Sequence, residues 1–230
     1  MTGRGARVAK RAAIAAAVLT GAMALLHTRF GRPLLARMSG DKGGCPVSIA
    51  GASPEKLESH RVEAMKSLKG RGRAAAKPAL TFVLGQSTRA DVATWESSSH
   101  VTCKDDLAGT ALRCLDVDPR TVADGSVPIA DLFFRFDPKG QLVALDVMHD
   151  GTSGDAAVRL FGEVVERLAS KLGAPPSAAY GERTSAYLTA TPLGQATIEY
   201  RFADYAADVS ATNFGDRGVV VREQYRAIPD

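Results

Sequence analysis

The chain has 230 residues, enough for one or two domains, and its 45% hydrophobic and 6% aromatic content is ordinary for a globular protein. Its net charge of +4 hides a split: residues 1–79 carry 15 Lys/Arg against 4 Asp/Glu, and residues 80–230 carry 14 against 21. The acidic body argues against nucleic acid as a partner, because a phosphate backbone needs a basic face.

Residues 1–45 read as a basic N-terminus and a membrane anchor or signal segment. Arg4, Arg7, Lys10 and Arg11 precede an uncharged apolar run from Ala12 to Leu26, closed by His27 and Arg29. A helix of that length spans roughly 22 Å, short of the ~30 Å hydrocarbon core, and snorkelling arginines or local thinning make up the difference. Ala22-Met23-Ala24 offers a small-x-small cleavage site, but no polar stretch separates it from Leu25-Leu26. The pattern favours an uncleaved single-pass anchor in a bacterial-type inner membrane over a cleaved signal peptide, and both over a buried soluble helix. The early basic cluster places the body outside the cytoplasm. After cleavage the body is instead periplasmic or secreted. Cys45 follows Lys42-Gly43-Gly44, which is no lipidation motif, and reads as a free thiol or as a cysteine that pairs with another chain.

Residues 46–79 form a connector. Ser53-Pro54-Glu55 is a helix start: a capping serine, proline at the first position and a carboxylate at the positive end. Leu57, Ala64, Met65 and Leu68 recur at helical spacing, so this amphipathic helix is expected to pack on the main body, with binding of a separate partner as the competing reading. The following stretch, with Lys69, Arg71, Arg73 and Lys77 and no acid, reads as a solvated linker, with anionic lipid headgroups as the competing contact.

Residues 80–150 form a first helix-plus-sheet unit. Leu80–Leu84 is a strand or extended lead-in ended by Gly85. Thr88-Arg89-Ala90-Asp91 resembles a capping box, and Val92 and Trp95 form the inner face of the helix it starts. Two strands follow, His100–Lys104 and Thr110–Leu115. A two-residue turn at Ala108-Gly109 sets Cys103 opposite Cys114, close enough for a disulfide in an exported compartment. The competing readings are free thiols and a metal site built from His100, Cys103, Cys114 and His149, whose spacing matches no zinc pattern. No metal and no cofactor are assigned. Leu132–Phe136 and Gln141–Val147 then flank Asp137-Pro138-Lys139-Gly140, whose proline and glycine are turn chemistry.

Residues 151–230 repeat the order. Asp155 to Leu172 is a helix with a continuous stripe of Ala157, Leu160, Phe161, Val164, Val165, Leu168 and Leu172, ended by Gly173 and Pro175-Pro176. Strand-like runs appear at Thr184–Ala190, Gln195–Phe202, Tyr205–Thr212 and Gly218–Arg226. The expected fold is therefore α+β: two tandem helix-plus-four-strand antiparallel units behind an anchor and an amphipathic connector helix.

The segment Leu84-Gly-Gln-Ser-Thr-Arg-Ala-Asp-Val-Ala-Thr-Trp95 before a cysteine hairpin resembles the start of SmpA/OmlA-type outer-membrane assembly lipoproteins. The doubled helix-plus-four-strand order is similar to the tandem architecture of β-lactamase inhibitor proteins. Both resemblances imply a body that binds another protein in the envelope or outside the cell. No binding residue carries over, since the Leu-Gly-x-Pro that follows the first helix in the lipoproteins is absent here.

Catalytic signals are sparse. His149-Asp150 followed by Ser153 suggests hydrolase chemistry, but Gly151-Thr152-Ser153-Gly154 is not a nucleophile elbow, because Asp155 stands where the second glycine belongs. Gly70-x-Gly72 lacks the third glycine of a nucleotide fingerprint. The leading expectation is a membrane-anchored cell-envelope protein whose exported body binds a protein partner or serves a structural role. The alternative is an exported hydrolase using His149 with Asp150 or Ser153.

The topology is testable at once. A periplasm-dependent reporter fused after Asp230 should be active, and a reporter that works only in the cytoplasm should be silent.

Overall fold

The computed structural model describes residues 53–229 apart from Asp124 and Ser126. The basic N-terminus, the apolar run Ala12–Leu26 and Cys45 lie outside the described residues. Among the described residues no helix is long and apolar enough to cross a membrane.

The elements in chain order are α1 (Pro54–Met65), β1 (Pro78–Ala79), β2 (Phe82–Val83), α2 (Arg89–Ser99), β3 (Cys103–Asp106), β4 (Ala111–Val117), β5 (Ile129–Phe136) and β6 (Leu142–Thr152). They continue with α3 (Gly154–Leu172), β7 (Ala178–Tyr180), α4 (Ser185–Ala190), β8 (Gln195–Arg201), β9 (Tyr205–Asn213) and β10 (Val219–Ala227). Eight strands form one antiparallel sheet in the order β3-β4-β5-β6-β10-β9-β8-β7, and β1 pairs with β2 in a separate small hairpin. The fold is α+β.

Alternation along the strands divides the sheet into two faces. Leu132, Phe134 and Phe136 of β5, Leu145 and Val147 of β6, and Val221 and Tyr225 of β10 are buried on one side. The apolar stripe of α3 (Ala157, Leu160, Phe161, Val164, Leu168, Leu172) joins the same cluster, as do Val92 and Trp95 of α2 and Leu188 of α4. Helices α2 to α4 therefore cover one face. Trp95 packs edge-on against Phe82, with Phe134 beside both rings, and donates its indole N–H to the Thr121 carbonyl at 2.9 Å. Such aromatic clusters add to their area burial through ring electrostatics.

Local chemistry explains the element ends. Thr88 and Asp91 form a reciprocal capping box at α2, and Ser53 and Ser153 cap α1 and α3. In the β5–β6 turn the Asp137 carboxylate accepts from Lys139 N and Gln141 N, while Gly140 adopts φ +78°, which glycine reaches without steric conflict. The register of β3 on β4 pairs Cys103 with Cys114, and a disulfide joins them with Cα atoms 4.2 Å apart. Their turn carries Leu107, Ala108 and Gly109 all at positive φ. The first two are not glycine, so the hairpin holds a conformation that side chains disfavour.

Three expectations are corrected. Thr184–Ala190 is not a strand. The Tyr187 N–H donates to the Thr184 hydroxyl at 3.2 Å and starts α4, and the short run Ala178–Tyr180 after Pro175-Pro176 becomes the edge strand instead. The stretch after α1 is not a solvated linker. Gly70 N donates to the Phe202 carbonyl, Ala203 N to Gly72, and Ala74 N to the Asp204 carboxylate, which Lys77 also meets at 3.1 Å. Gly70 is required there, because a Cβ would stand 2.2 Å from the Arg201 carbonyl oxygen. Finally, the apolar stripe of α1 is buried only in part: Leu57 is buried, Met65 and Leu68 are half-buried and Ala64 is exposed, while Arg61 is buried beside Leu57. Arg61 is held by Glu58 and by the Ala227 carbonyl at 2.8 Å, so a salt-bridged arginine joins the buried side of the helix.

Closing a loop of this length constrains the unfolded chain, so reducing Cys103–Cys114 should destabilise the body by about 2–3 kcal/mol. A denaturant titration with and without reductant should show the midpoint fall.

Candidate functional site

Two polar assemblies stand out, one on each face of the sheet. The first is sealed. Glu223 lies on β10 in phase with Val221 and Tyr225, so its carboxylate points into the helix-covered core. One oxygen faces His149 Nε2 at 3.3 Å. The other accepts from Arg167 of α3 at 2.6 Å and from the Tyr225 hydroxyl. His149 Nδ1 lies 2.9 Å from the Pro128 carbonyl, so each ring nitrogen faces an oxygen.

Burial alone would raise the Glu223 carboxyl. The His149 hydrogen bond, the Arg167 charge and the Tyr225 hydroxyl outweigh it, and the net shift is downward. For Arg167, burial opposes the charge and the facing Glu223 carboxylate wins, so its guanidinium is held more firmly protonated than usual. Burial, with Glu223 next to it, drives the Tyr225 phenol well above its ordinary range. A buried carboxylate that meets three partners and is held below its usual range is a weak proton acceptor. Neither groove described below is lined by Glu223, His149 or Arg167. The cluster clamps α3 onto β6 and β10.

The residues of the alternative hydrolase reading each bond elsewhere. His149 is buried on the covered face, inside β6 and not at its end. Asp150 is its strand neighbour and is paired with Arg217. The Ser153 hydroxyl accepts from Ala156 N as the α3 cap. Each side chain has a separate structural partner. His60 and His100 are exposed. Cys103 and Cys114 are bonded to each other, so neither is a thiolate for the competing metal reading. Among the described residues no group of three or more His, Cys, Asp or Glu is placed to hold a metal ion.

The second assembly is open. Side chains of the alternate set point away from the helices, and the register aligns them in rows. One row runs Arg113, Phe133, Asp146, Gln224, Asp208 and Glu199. The next runs Leu115, Asp131, Met148, Arg222, Ser210 and Thr197. Across them lies a groove of about 570 Å³, lined also by Val220, Thr212, Gln195, Phe214 and Arg217. Its charges are paired: Arg113 grips Asp131 with Nε and Nη2, while Asp146 accepts from Arg222 at 3.0 Å, Gln224 at 2.8 Å and Arg226 at 2.7 Å. Burial raises the Asp146 carboxyl, and Arg226 with Gln224 and Arg222 more than reverses it, leaving it below the usual range. A shallower recess of about 740 Å³ lies at the sheet end, bordered by Asp116, Asp118, Arg120, Pro128 and Asp150. Among these groups only the open groove combines apolar floor, aligned charge and access.

Sequence reasoning missed Glu223 and Arg167, although signals existed. Glu223 interrupts the alternating set of Val219, Val221 and Tyr225, and Arg167 sits seven residues beyond Leu160 on the apolar stripe of α3. The open groove left no such mark, because its residues come from β4, β5, β6, β8, β9, β10 and the β9–β10 connection and meet only through register.

Because Glu223 ionises more readily folded than unfolded, its contribution is fully present above the ordinary carboxylate range and is lost as pH falls through the lowered folded value. Glu223→Gln should therefore flatten the acid limb of a stability–pH profile measured by thermal melting. Arg167→Ala should cost about 3 kcal/mol at neutral pH by leaving a buried charge unpaired. Searches against protein-family models, curated proteins and solved structures return no match to this chain.

Proposed function

We propose that this protein is a membrane-anchored component of the cell envelope whose exported body binds another protein across the uncovered face of its sheet. The observation that carries the proposal is the open groove, where Phe133, Met148, Val220 and Phe214 lie among charged and hydroxyl side chains and which no described helix lines. Interfaces of this kind combine an apolar centre with a polar rim. The disulfide supports export, since such bonds persist in oxidising compartments. The basic cluster followed by the apolar run Ala12–Leu26 supports a tether with the body outside the cytoplasm.

The strand order supports reading the body as two tandem helix-plus-four-strand units. Helix α2 precedes β3 to β6, helix α3 precedes β7 to β10, and the two sets enter the sheet in mirrored order so that β6 meets β10. That arrangement is in keeping with the resemblance to SmpA/OmlA-type lipoproteins and to β-lactamase inhibitor proteins, both of which act by protein binding. Nothing favours the hydrolase alternative, since His149, Asp150 and Ser153 each have a structural partner.

Site-specific photo-crosslinking in intact envelopes tests the proposal. A crosslinker at Met148 or Gln224, in the groove, should capture a discrete protein partner. The same group at Arg159 or Glu163, exposed on α3, should not. Equal capture from both faces, or none from the groove, would remove the proposal. Phe133→Ala should weaken a captured complex by about tenfold or more if the ring is a central anchor.

A further inference from the structure

The groove carries a charge asymmetry that its paired residues conceal. In three ion pairs along it the carboxylate is the less exposed partner and the guanidinium stands out, whereas in the fourth, Arg226–Asp146, both side chains are sunk. Arg113 is 50% exposed against 15% for Asp131, Arg222 50% against 21% for Asp146, and Arg217 64% against 31% for Asp150. Asp146 is moreover shared between Arg222 and Arg226, so one cation of that trio has no carboxylate of its own. Arg113 uses Nε and Nη2 on Asp131 and keeps an edge of its guanidinium for another acceptor. An approaching molecule therefore meets donors over a floor of Phe133, Met148 and Val220. The groove is locally cationic on a body whose residues 80–230 carry a surplus of acids.

We propose that the partner presents an acidic segment with an apolar side chain, received by Arg113, Arg217 and Arg222 over the Phe133–Met148 floor. The proposal rests on the protein-binding reading above and names the chemistry of that partner. A basic segment would face three outward guanidiniums and reach the acids only by displacing them. A nucleic acid would share the phosphate–arginine contacts, but its extended charge would also meet the acidic remainder of the body. Local complementarity of this kind sets specificity and encounter rate more than total affinity.

The test uses the detergent-solubilised full chain and three short fluorescent peptides of one length, alternating Leu with Glu, Gln or Lys around a central Phe. Anisotropy should show the Glu peptide binding about tenfold tighter than the Gln peptide, with the advantage shrinking as added salt shortens the screening length. Arg113→Gln and Arg222→Gln should each weaken the Glu peptide by roughly three- to tenfold. Arg159→Gln, on the helix side, should leave it unchanged. Thermal melting of each variant establishes that it is folded, and Arg217→Gln, at the most exposed of the three positions, repeats the test if another variant is not. Equal binding of the three peptides, no binding of any, or tighter binding of the Lys peptide or of a single-stranded oligonucleotide would overturn the acidic partner. If crosslinks from Met148 persisted under any of those results, the protein-binding reading would stand without it. If they were also missing, both would fall.

Discussion

The pairing of β6 with β10 joins the two ends of the fold, and a buried carboxylate sits on that seam. Glu223 of β10 reaches His149 of β6 and Arg167 of α3, so one anion ties both central strands to the principal helix. Removing such a charge from water costs several kcal/mol, which its partners must offset. The cluster is therefore weak as a source of net stability. It is strong as a constraint on arrangement. If β10 slipped by one residue against β6, Glu223 would turn to the open face and leave Arg167 facing apolar side chains. The carboxylate thus selects the register on which every row of the uncovered face depends.

Both faces follow from that register. On the covered side the rows are mainly apolar, with the clamp and the buried Thr152 and Asn213 as polar exceptions, and α3 supplies many of the side chains that close them. On the open side the same strands present Arg113, Asp131, Asp146 and Arg222, each paired across strands or along the row. Cross-strand ion pairs add little energy when exposed, but here they hold long side chains in fixed places over an apolar floor. A groove of fixed polar groups loses less side-chain freedom on binding than one of mobile groups.

The N-terminal connector shapes this surface from outside the sheet. Helix α1 reaches the row end where Arg61 bonds the Ala227 carbonyl. Beside it Arg135 is lowered below the usual arginine range by burial first, then by Arg61 and Arg226, cations on the same face. The chain then passes along the β8–β9 turn, fixed by Gly70, Gly72 and Ala74, before β1 enters the covered side near Tyr205, whose hydroxyl donates to the Pro78 carbonyl. One segment therefore serves both faces and passes between them at the sheet end.

Much of this was legible in the chain itself, wherever a short stretch carried its own physics. Thr88 and Asp91 spell a capping box, Asp137 to Gly140 spell a turn, and the α3 stripe needs no partner to declare its buried side. The cysteine register followed from a two-residue turn and simple counting. Thr184–Ala190 went wrong because a short run of small and β-branched residues fits helix or strand, and the cap at Thr184 decided between them. The linker was misread because its anchors, Phe202 and Asp204, lie some 130 residues away. The clamp and the groove belonged to tertiary structure for the same reason. Side chains from distant strands become neighbours only when register and strand order are set, and neither is written in the spacing of any one segment.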